Sequence, residues 1–334
     1  MASAPAQRVS FVIPVRDDAC RLARCVASIA GTDYPCELVQ IIVVDNGSRD
    51  DSAAVARAAG ALVLTAHGRV AELRNLGAQT AIGDILAFVD ADHEIDPHWI
   101  TSAARALDAP AVAAAGAPYI IAADANWVQQ RYDTLRSRSP QPVDVDWLGS
   151  GNLAIRRDVF QQIGGFDVAL ETCEDVDLCN RLKLAGHRLV ADPSLRSIHF
   201  GDPATLRALF FGELWRGRNN LRVTWRGPRT VAHFRSLLIS IVDLIAMAGA
   251  AAALLLRAWP LALLCAGVGI GLALLKTVAM LKRAPRATVT VAVQSFVVAI
   301  AYDAARALAL LASGSHGARR SSEHPTDVTA DSHS

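Results

Sequence analysis

Five consecutive apolar residues, Ile85 to Val89, run straight into Asp90-Ala91-Asp92-His93. A continuous hydrophobic run of this length is what a strand buried on both faces of an α/β sheet requires. Ligands of such sheets bind just beyond the carboxyl ends of the strands, so two carboxylates stand at a ligand position. Residues two apart on an extended chain share a side, so Asp90 and Asp92 converge. Close carboxylates repel. A hard divalent cation relieves that repulsion, and Mg²⁺ or Mn²⁺ typically takes one or two carboxylates plus substrate phosphates. Taken alone, Asp-Ala-Asp reads equally well as an acidic turn.

The same pattern occurs upstream. Residues 9–14 form an apolar strand ended by Pro14, with Arg16, Asp17 and Asp18 in the loop after it. A helix over residues 20–30 carries Leu22, Val26 and Ile29 on one face. Residues 38–44 form a second buried strand ending in Asp45-Asn46-Gly47-Ser48, and Ser48 or Asp50 can cap a helix over residues 51–59. Residues 61–64 form a third strand, and residues 69–81 a helix carrying Arg74 and Asn75. Strands alternating with helices predict βαβ units and a mostly parallel sheet flanked by helices. Two strands on one edge then end in carboxylates, with Arg74 and Asn75 between them.

Residues 95–107 read as a helix, and residues 119–146 are polar and too long for a plain loop, hence helical in part. The Gly-rich Trp147-Leu-Gly149-Ser-Gly-Asn152 leads into a strand over residues 153–155. Gly164-Gly165-Phe166-Asp167 is a turn, residues 187–191 are a strand, and His199 follows Ser197-Ile198. Glu174, Asp175 and Asp177 open a helix, where the dipole favours acids regardless of any other role.

The chain has 33 basic and 32 acidic residues, so there is no global attraction to nucleic acid. Six cysteines fit no zinc template. The apolar surplus concentrates after residue 236, in segments 237–256, 259–281 and 287–312. Each is long enough to cross a bilayer, and they carry Asp243, Asp303 and Arg306. Seven arginines and one acid, Glu213, lie in residues 207–235, a juxtamembrane pattern drawn to anionic lipid. The basic loop Lys282-Arg283-Ala-Pro-Arg286 belongs on the cytoplasmic side, and the N-terminus shows no signal region. The expectation is a catalytic domain over residues 8–230, a membrane domain of about three helices over 236–312 and a disordered tail over 313–334. The protein would then sit in the inner (cytoplasmic) membrane with its catalytic domain cytoplasmic.

Six motifs in order carry a resemblance: Val-Ile-Pro14; Val-Val-Asp45-Asn46-Gly-Ser48; Leu-Arg74-Asn-Leu-Gly77; Ala-Phe-Val-Asp90-Ala91-Asp92; Gly149-Ser-Gly-Asn152 with Gly164-Gly-Phe-Asp167; and Glu174-Asp175-Val-Asp177-Leu. Over residues 8–200 the chain resembles the family 2 glycosyltransferases of the GT-A fold. The resemblance implies a nucleotide-sugar donor, UDP being the commonest nucleotide, and a Mg²⁺ or Mn²⁺ cofactor. By position it implies a donor pocket of Pro14, Asp17, Asp45, Asn46, Arg74, Asp90 and Ala91. It implies metal ligands Asp90, Asp92 and His199, a catalytic base Asp175 beside Glu174, and an acceptor side of Trp147, Gly149 and Asp177. His199 reads equally as an ordinary strand-end histidine.

Such enzymes invert the anomeric centre with one base. Two features depart from the family pattern. Arg16-Asp17 follows the first strand, where an aromatic residue or Lys followed by Asn is usual. The Gln-x-x-Arg-Trp motif of processive synthases is absent, Glu213-Leu-Trp-Arg216-Gly being at best its relic. Single-sugar transfer to a lipid-linked or membrane-proximal acceptor is therefore expected. The competing readings are a non-catalytic membrane partner that only binds nucleotide sugar, and a sugar-phosphate nucleotidyltransferase. The latter needs a Gly-rich basic loop where this chain has Arg16-Asp-Asp-Ala-Cys20.

Overall fold

The computed structural model describes residues 7–228 and 231–312, so the expected disordered tail lies outside the described residues. The chain comprises two compact units. One comprises the described residues up to Ala122 together with Arg138–Gly201; the other comprises Ala123–Ser137 and the described residues from Asp202 onward.

The first unit opens with β1 (Val9–Val15), α1 (Ala19–Ala30), β2 (Val39–Asp45), α2 (Ser52–Ala58), β3 (Leu62–Thr65), α3 (Val70–Thr80) and β4 (Ile85–Val89). It continues with β5 (His93–Ile95), α4 (Trp99–Leu107), β6 (Val112–Gly116) and β7 (Ile120–Ile121). Helix α5 (Trp127–Asp133) belongs to the second unit. Then follow β8 (Val143–Asp144), β9 (Asn152–Arg156), α6 (Arg157–Gln162), α7 (Glu174–Leu184), β10 (Arg188–Ala191) and β11 (Ser197–His199).

The main sheet has the order β3-β2-β1-β4-β9-β6-β10-β8. β3, β2, β1 and β4 pair in parallel, as the alternation of strands and helices predicts, whereas β9 runs antiparallel between β4 and β6. The apolar runs are continuous because both faces are covered. Phe11, Ile13, Ile85, Ala87 and Val89 pack beneath Leu22, Val26, Ile29, Trp99 and Ile100 of α1 and α4. Val12, Leu86 and Phe88 face the opposite way, onto Leu73, Phe160, Phe166, Leu178 and Leu182. Phe88 meets the Phe166 ring edge-on with centroids 5.0 Å apart, so the Gly164-Gly165-Phe166 turn is anchored in this core.

One local expectation is corrected and two are extended. Residue 95 does not begin a helix: β5 pairs antiparallel with β11, in register Ile95↔Ser197 and His93↔His199, and α4 starts only at Trp99. Asp50 does more than attend its own helix. Its Oδ1 accepts from the Ser52 N–H at 3.0 Å at the start of α2, and its Oδ2 accepts from the Ala19 N–H at 2.8 Å at the start of α1. The polar stretch 119–146 contains α5, whose Asn126 caps the Val128 and Gln129 amides while Gln129 Oε1 accepts from the Asn126 N–H.

The second unit also holds α8 (Leu206–Arg216), α9 (Asn220–Arg226), α10 (Val231–Leu255), α11 (Trp259–Leu281) and α12 (Val289–Ala312). Helices α10, α11 and α12 are long and apolar enough to cross a membrane. They pack on one another, and α12 also packs on α5 and α8. Lys276 of α11 pairs with Asp303 of α12, while Arg306 reaches toward Glu213 of α8 at 3.8 Å. Glu213 itself is buried, accepting from Tyr132 at 2.5 Å and Arg216 at 3.0 Å.

Candidate active site

Parallel pairing of β1, β2 and β4 puts Pro14, Asp45 and Asp90 at one sheet edge. At that edge Asp45 is buried and its Oδ1 accepts from the Ser48 N–H at 3.1 Å, which folds the turn after β2. Asn46 clasps Gly68 through both amide atoms, each at 3.2 Å. Asp17 takes a left-handed backbone (φ 51°). Its Oδ1 accepts from the Arg49 N–H at 2.6 Å, and its own N–H donates to Ser48 Oγ at 2.9 Å. The loops after β1 and β2 are thereby tied to each other.

Arg74 projects from α3 into the same edge. Its Nη2 donates to Asp90 Oδ1 at 2.6 Å and its Nη1 to Glu174 Oε1 at 2.8 Å. Burial opposes the charge on Arg74, but the Asp90 and Glu174 carboxylates outweigh it and raise its pKa. The neighbouring Asn75 holds both backbone atoms of Phe166 at 2.9 Å. Helix α3 therefore fixes the N-terminal turn of α7 by its guanidinium and the preceding turn by its amide.

Asp175 follows Glu174 and is half-buried. Burial, then the Glu174 carboxylate beside it, push its pKa well above the ordinary carboxylate range, against the N–H groups of Val176 and Ser150 and the charge of Arg74. An added Cβ on Gly149 would stand 3.9 Å from Asp175 Oδ2 and 3.7 Å from the Trp147 ring. Trp147 is 55% exposed, so an exposed indole and a side-chain-free backbone flank this carboxyl group. Asp177 is buried elsewhere in the same helix, accepting from Arg181 Nε at 2.7 Å.

A second cluster lies just past β4. Ligand atoms of Asp92, His93 and His199 lie within 4.8 Å of one another. The small sheet β5-β11-β7 creates it, because directly opposed residues in an antiparallel pair share a face. His93 Nδ1 bonds Ser197 Oγ at 3.1 Å, which orients the ring. Asp92 Oδ2 is 3.3 Å from His199 Nε2. Burial works to raise the Asp92 pKa, but the hydrogen bond and charge of His199, with His93 and Arg21 behind them, hold it at about 2.

Two glycines keep this space open. A Cβ on Gly201 would come within 2.0 Å of Asp92 Oδ2, and one on Gly151 within 2.6 Å of Asp90 Oδ2. One carboxylate and two imidazoles in a glycine-walled recess are a donor set that fits a divalent cation. Asp90 stands outside this triad, held by Arg74. His93 is the member that the sequence motifs do not single out, since its partner is assigned only by strand pairing. Ala91, between the two aspartates, is buried.

A helix-flanked, mostly parallel sheet with these acids at its carboxyl edge is the GT-A fold. Residues 10–164 match the family model of glycosyl transferase family 2. It is 31% identical over 206 residues to the pre-mycofactocin glycosyltransferase of Mycobacterium tuberculosis, covering 57% of this chain but only 42% of that protein. It is 26% identical over 220 residues to the glycosyltransferase AglE of Haloferax volcanii, covering 62% and 69% of the two chains. In three dimensions it is similar to the mannosyltransferase PcManGT of Pyrobaculum calidifontis, solved in complex with GDP-Man and Mn²⁺. The TM-score is 0.55 at 17% identity, over 88% of this chain and 86% of that one.

Proposed function

We propose that this chain transfers a single sugar, with inversion, from a nucleotide-sugar donor to a lipid-linked or membrane-proximal acceptor. The observation that carries the reading is Asp175: a half-buried carboxyl group with a raised pKa, facing Gly149, one residue after the Glu174 that Arg74 locks in place. An acceptor hydroxyl is a poor nucleophile. Asp175 takes its proton as the new C–O bond forms at the anomeric carbon and the bond to the diphosphate breaks on the opposite face. One base and no covalent intermediate suffice.

Asp92, His199 and His93 would hold the divalent cation, Mg²⁺ or Mn²⁺, with Asp90 close by. When bound, such an ion neutralises the charge that develops on a departing diphosphate. The two imidazoles favour Mn²⁺, since Mg²⁺ is usually held by oxygen ligands. Pro14, Asp17, Asp45 and Asn46 line the pocket for the nucleoside, with UDP the expected nucleotide. Arg74, Asp90 and Ala91 complete the donor side, and Trp147 and Gly149 flank the acceptor. Asp177, committed to Arg181, supports α7. The basic loop at Lys282–Arg286 favours a catalytic unit on the cytoplasmic face of the inner membrane.

The test is nucleotide release by full-length protein in detergent, across UDP-, GDP- and dTDP-sugars, with Mn²⁺, Mg²⁺ or EDTA and membrane lipid extract. Metal-dependent release with one donor, and product of inverted anomeric configuration by NMR, are expected. Extended polymer from one donor, or metal-independent release, would contradict the reading.

A further inference from the structure

Helix α5 carries a cation that nothing in the described chain neutralises. Arg131 is 6% exposed, and its Nε and Nη1 are closed to solvent without a hydrogen-bond partner. Among the described residues no carboxylate pairs with it, and burial alone acts on it, lowering its pKa. The nearby acids are engaged by other groups. Arg136 takes Asp133 and Asp202, each at 2.9 Å, and Glu213 takes Tyr132 and Arg216. A buried charge without a partner is costly, and a guanidinium is a planar fork suited to phosphate oxygens.

The surroundings indicate where the missing anion resides. Val128 and Leu135, one turn either side of Arg131, pack with Leu209, Ala273, Met280, Val298 and Ala299 of α8, α11 and α12. Arg283, in the loop joining α11 to α12, donates from Nη1 to the Thr134 carbonyl at 3.1 Å. Helix α5 thus lies where the two apolar helices end, at the depth of lipid headgroups. Trp127, 38% exposed one turn before Arg131, suits that depth.

We infer that Arg131 grips the phosphate of a membrane lipid seated against α5. A free phosphate ion offers the same oxygens, but the depth of α5 favours a lipid-borne one.

The test uses full-length protein in phosphatidylcholine nanodiscs doped with phosphatidic acid. Lipid retained on extraction is counted by native mass spectrometry, for the wild type, Arg131→Met and Arg131→Lys. Donor binding is measured in the same preparations by titration with the sugar nucleotide. Wild type retains phosphatidic acid over phosphatidylcholine. Arg131→Met loses that retention by about tenfold or more, the effect of removing a charge-assisted hydrogen bond, and Arg131→Lys keeps part of it. Melting temperature in Arg131→Met equals or exceeds wild type, because an unpaired buried charge has been removed.

Equal retention by wild type and Arg131→Met overturns the inference, as does a lower melting temperature in Arg131→Met, which would mean that the guanidinium is already paired. Displacement of phosphatidic acid by equimolar inorganic phosphate overturns the lipid assignment. Intact donor binding alongside any of these results leaves the glycosyltransferase reading standing. Loss of donor binding in all three proteins would strike that reading instead.

Discussion

Arg74 Nη1 lies 2.8 Å from Glu174 Oε1, across 100 residues of chain, and the same guanidinium reaches Asp90 through Nη2. One side chain therefore sets the spacing between the β4 edge and the start of α7. Both members of the Arg74–Glu174 pair are nearly closed to solvent. Removing one partner of a buried pair strands the other and costs about 3 kcal/mol or more, so Arg74→Ala should melt markedly lower. Arg74→Lys keeps the charge but not the fork. Its melting temperature should stay near wild type while kcat/KM for the donor falls about tenfold or more. Thermal melts beside steady-state kinetics separate the two effects.

The raised pKa of Asp175 sets a pH dependence. A base works only when deprotonated. Between the ordinary carboxylate value, about 4, and its own raised value, Asp175 is protonated in the folded enzyme. kcat/KM, which reports the free enzyme, should therefore rise with pH and level off well above the ordinary carboxylate range. Glu174→Gln removes the second-largest cause of the shift, so the acid limb should move to lower pH. A limb already complete near pH 5, unmoved by Glu174→Gln, would count against Asp175 as base.

Gly201 tests the recess around Asp92. A methyl group there would meet Asp92 Oδ2 at 2.0 Å and His199 Nε2 at 2.8 Å. Gly201→Ala should weaken Mn²⁺ binding, read by electron paramagnetic resonance, by about tenfold or more, with little change in nucleotide binding at the Asp45 end. Unchanged Mn²⁺ affinity would place the cation elsewhere.

Within the apolar helices, Lys276 and Asp303 form a largely buried pair. Lys276→Met alone and Asp303→Leu alone should each lower the melting temperature in detergent, because each leaves one buried charge. The double substitution should recover most of the loss, as replacing a buried pair by apolar groups is often neutral. Additive losses would mean that the two do not interact.

What the sequence disclosed follows range of interaction. The β4 run and its terminal aspartates were legible because burial on two faces leaves a continuous apolar signature. Asp45, Arg74 and Asp175 were placed by motifs that each sit within one loop or helix turn. The pairing of β5 with β11 was not legible: three-residue strands carry almost no periodicity, so His93 and Ile95 passed for parts of a turn and a helix. The bond from Ala19 to Asp50 was not legible, because it joins α1 to a residue that local sequence assigns to the start of α2. The unpaired state of Arg131 is likewise a property of what surrounds α5 in space, and arginines of that sequence region look alike.

The most direct test of the central claim is nucleotide release by wild type, Asp92→Ala and Asp175→Asn, beside donor binding by the same proteins. Asp175→Asn should bind the donor with Mn²⁺ at near wild-type affinity yet release nucleotide at least about a hundredfold more slowly, the scale of a lost general base. Asp92→Ala should lose the metal dependence of binding itself. Asp175→Asn turning over within a fewfold of wild type would contradict the assignment of the base, and with it the account of catalysis at this edge.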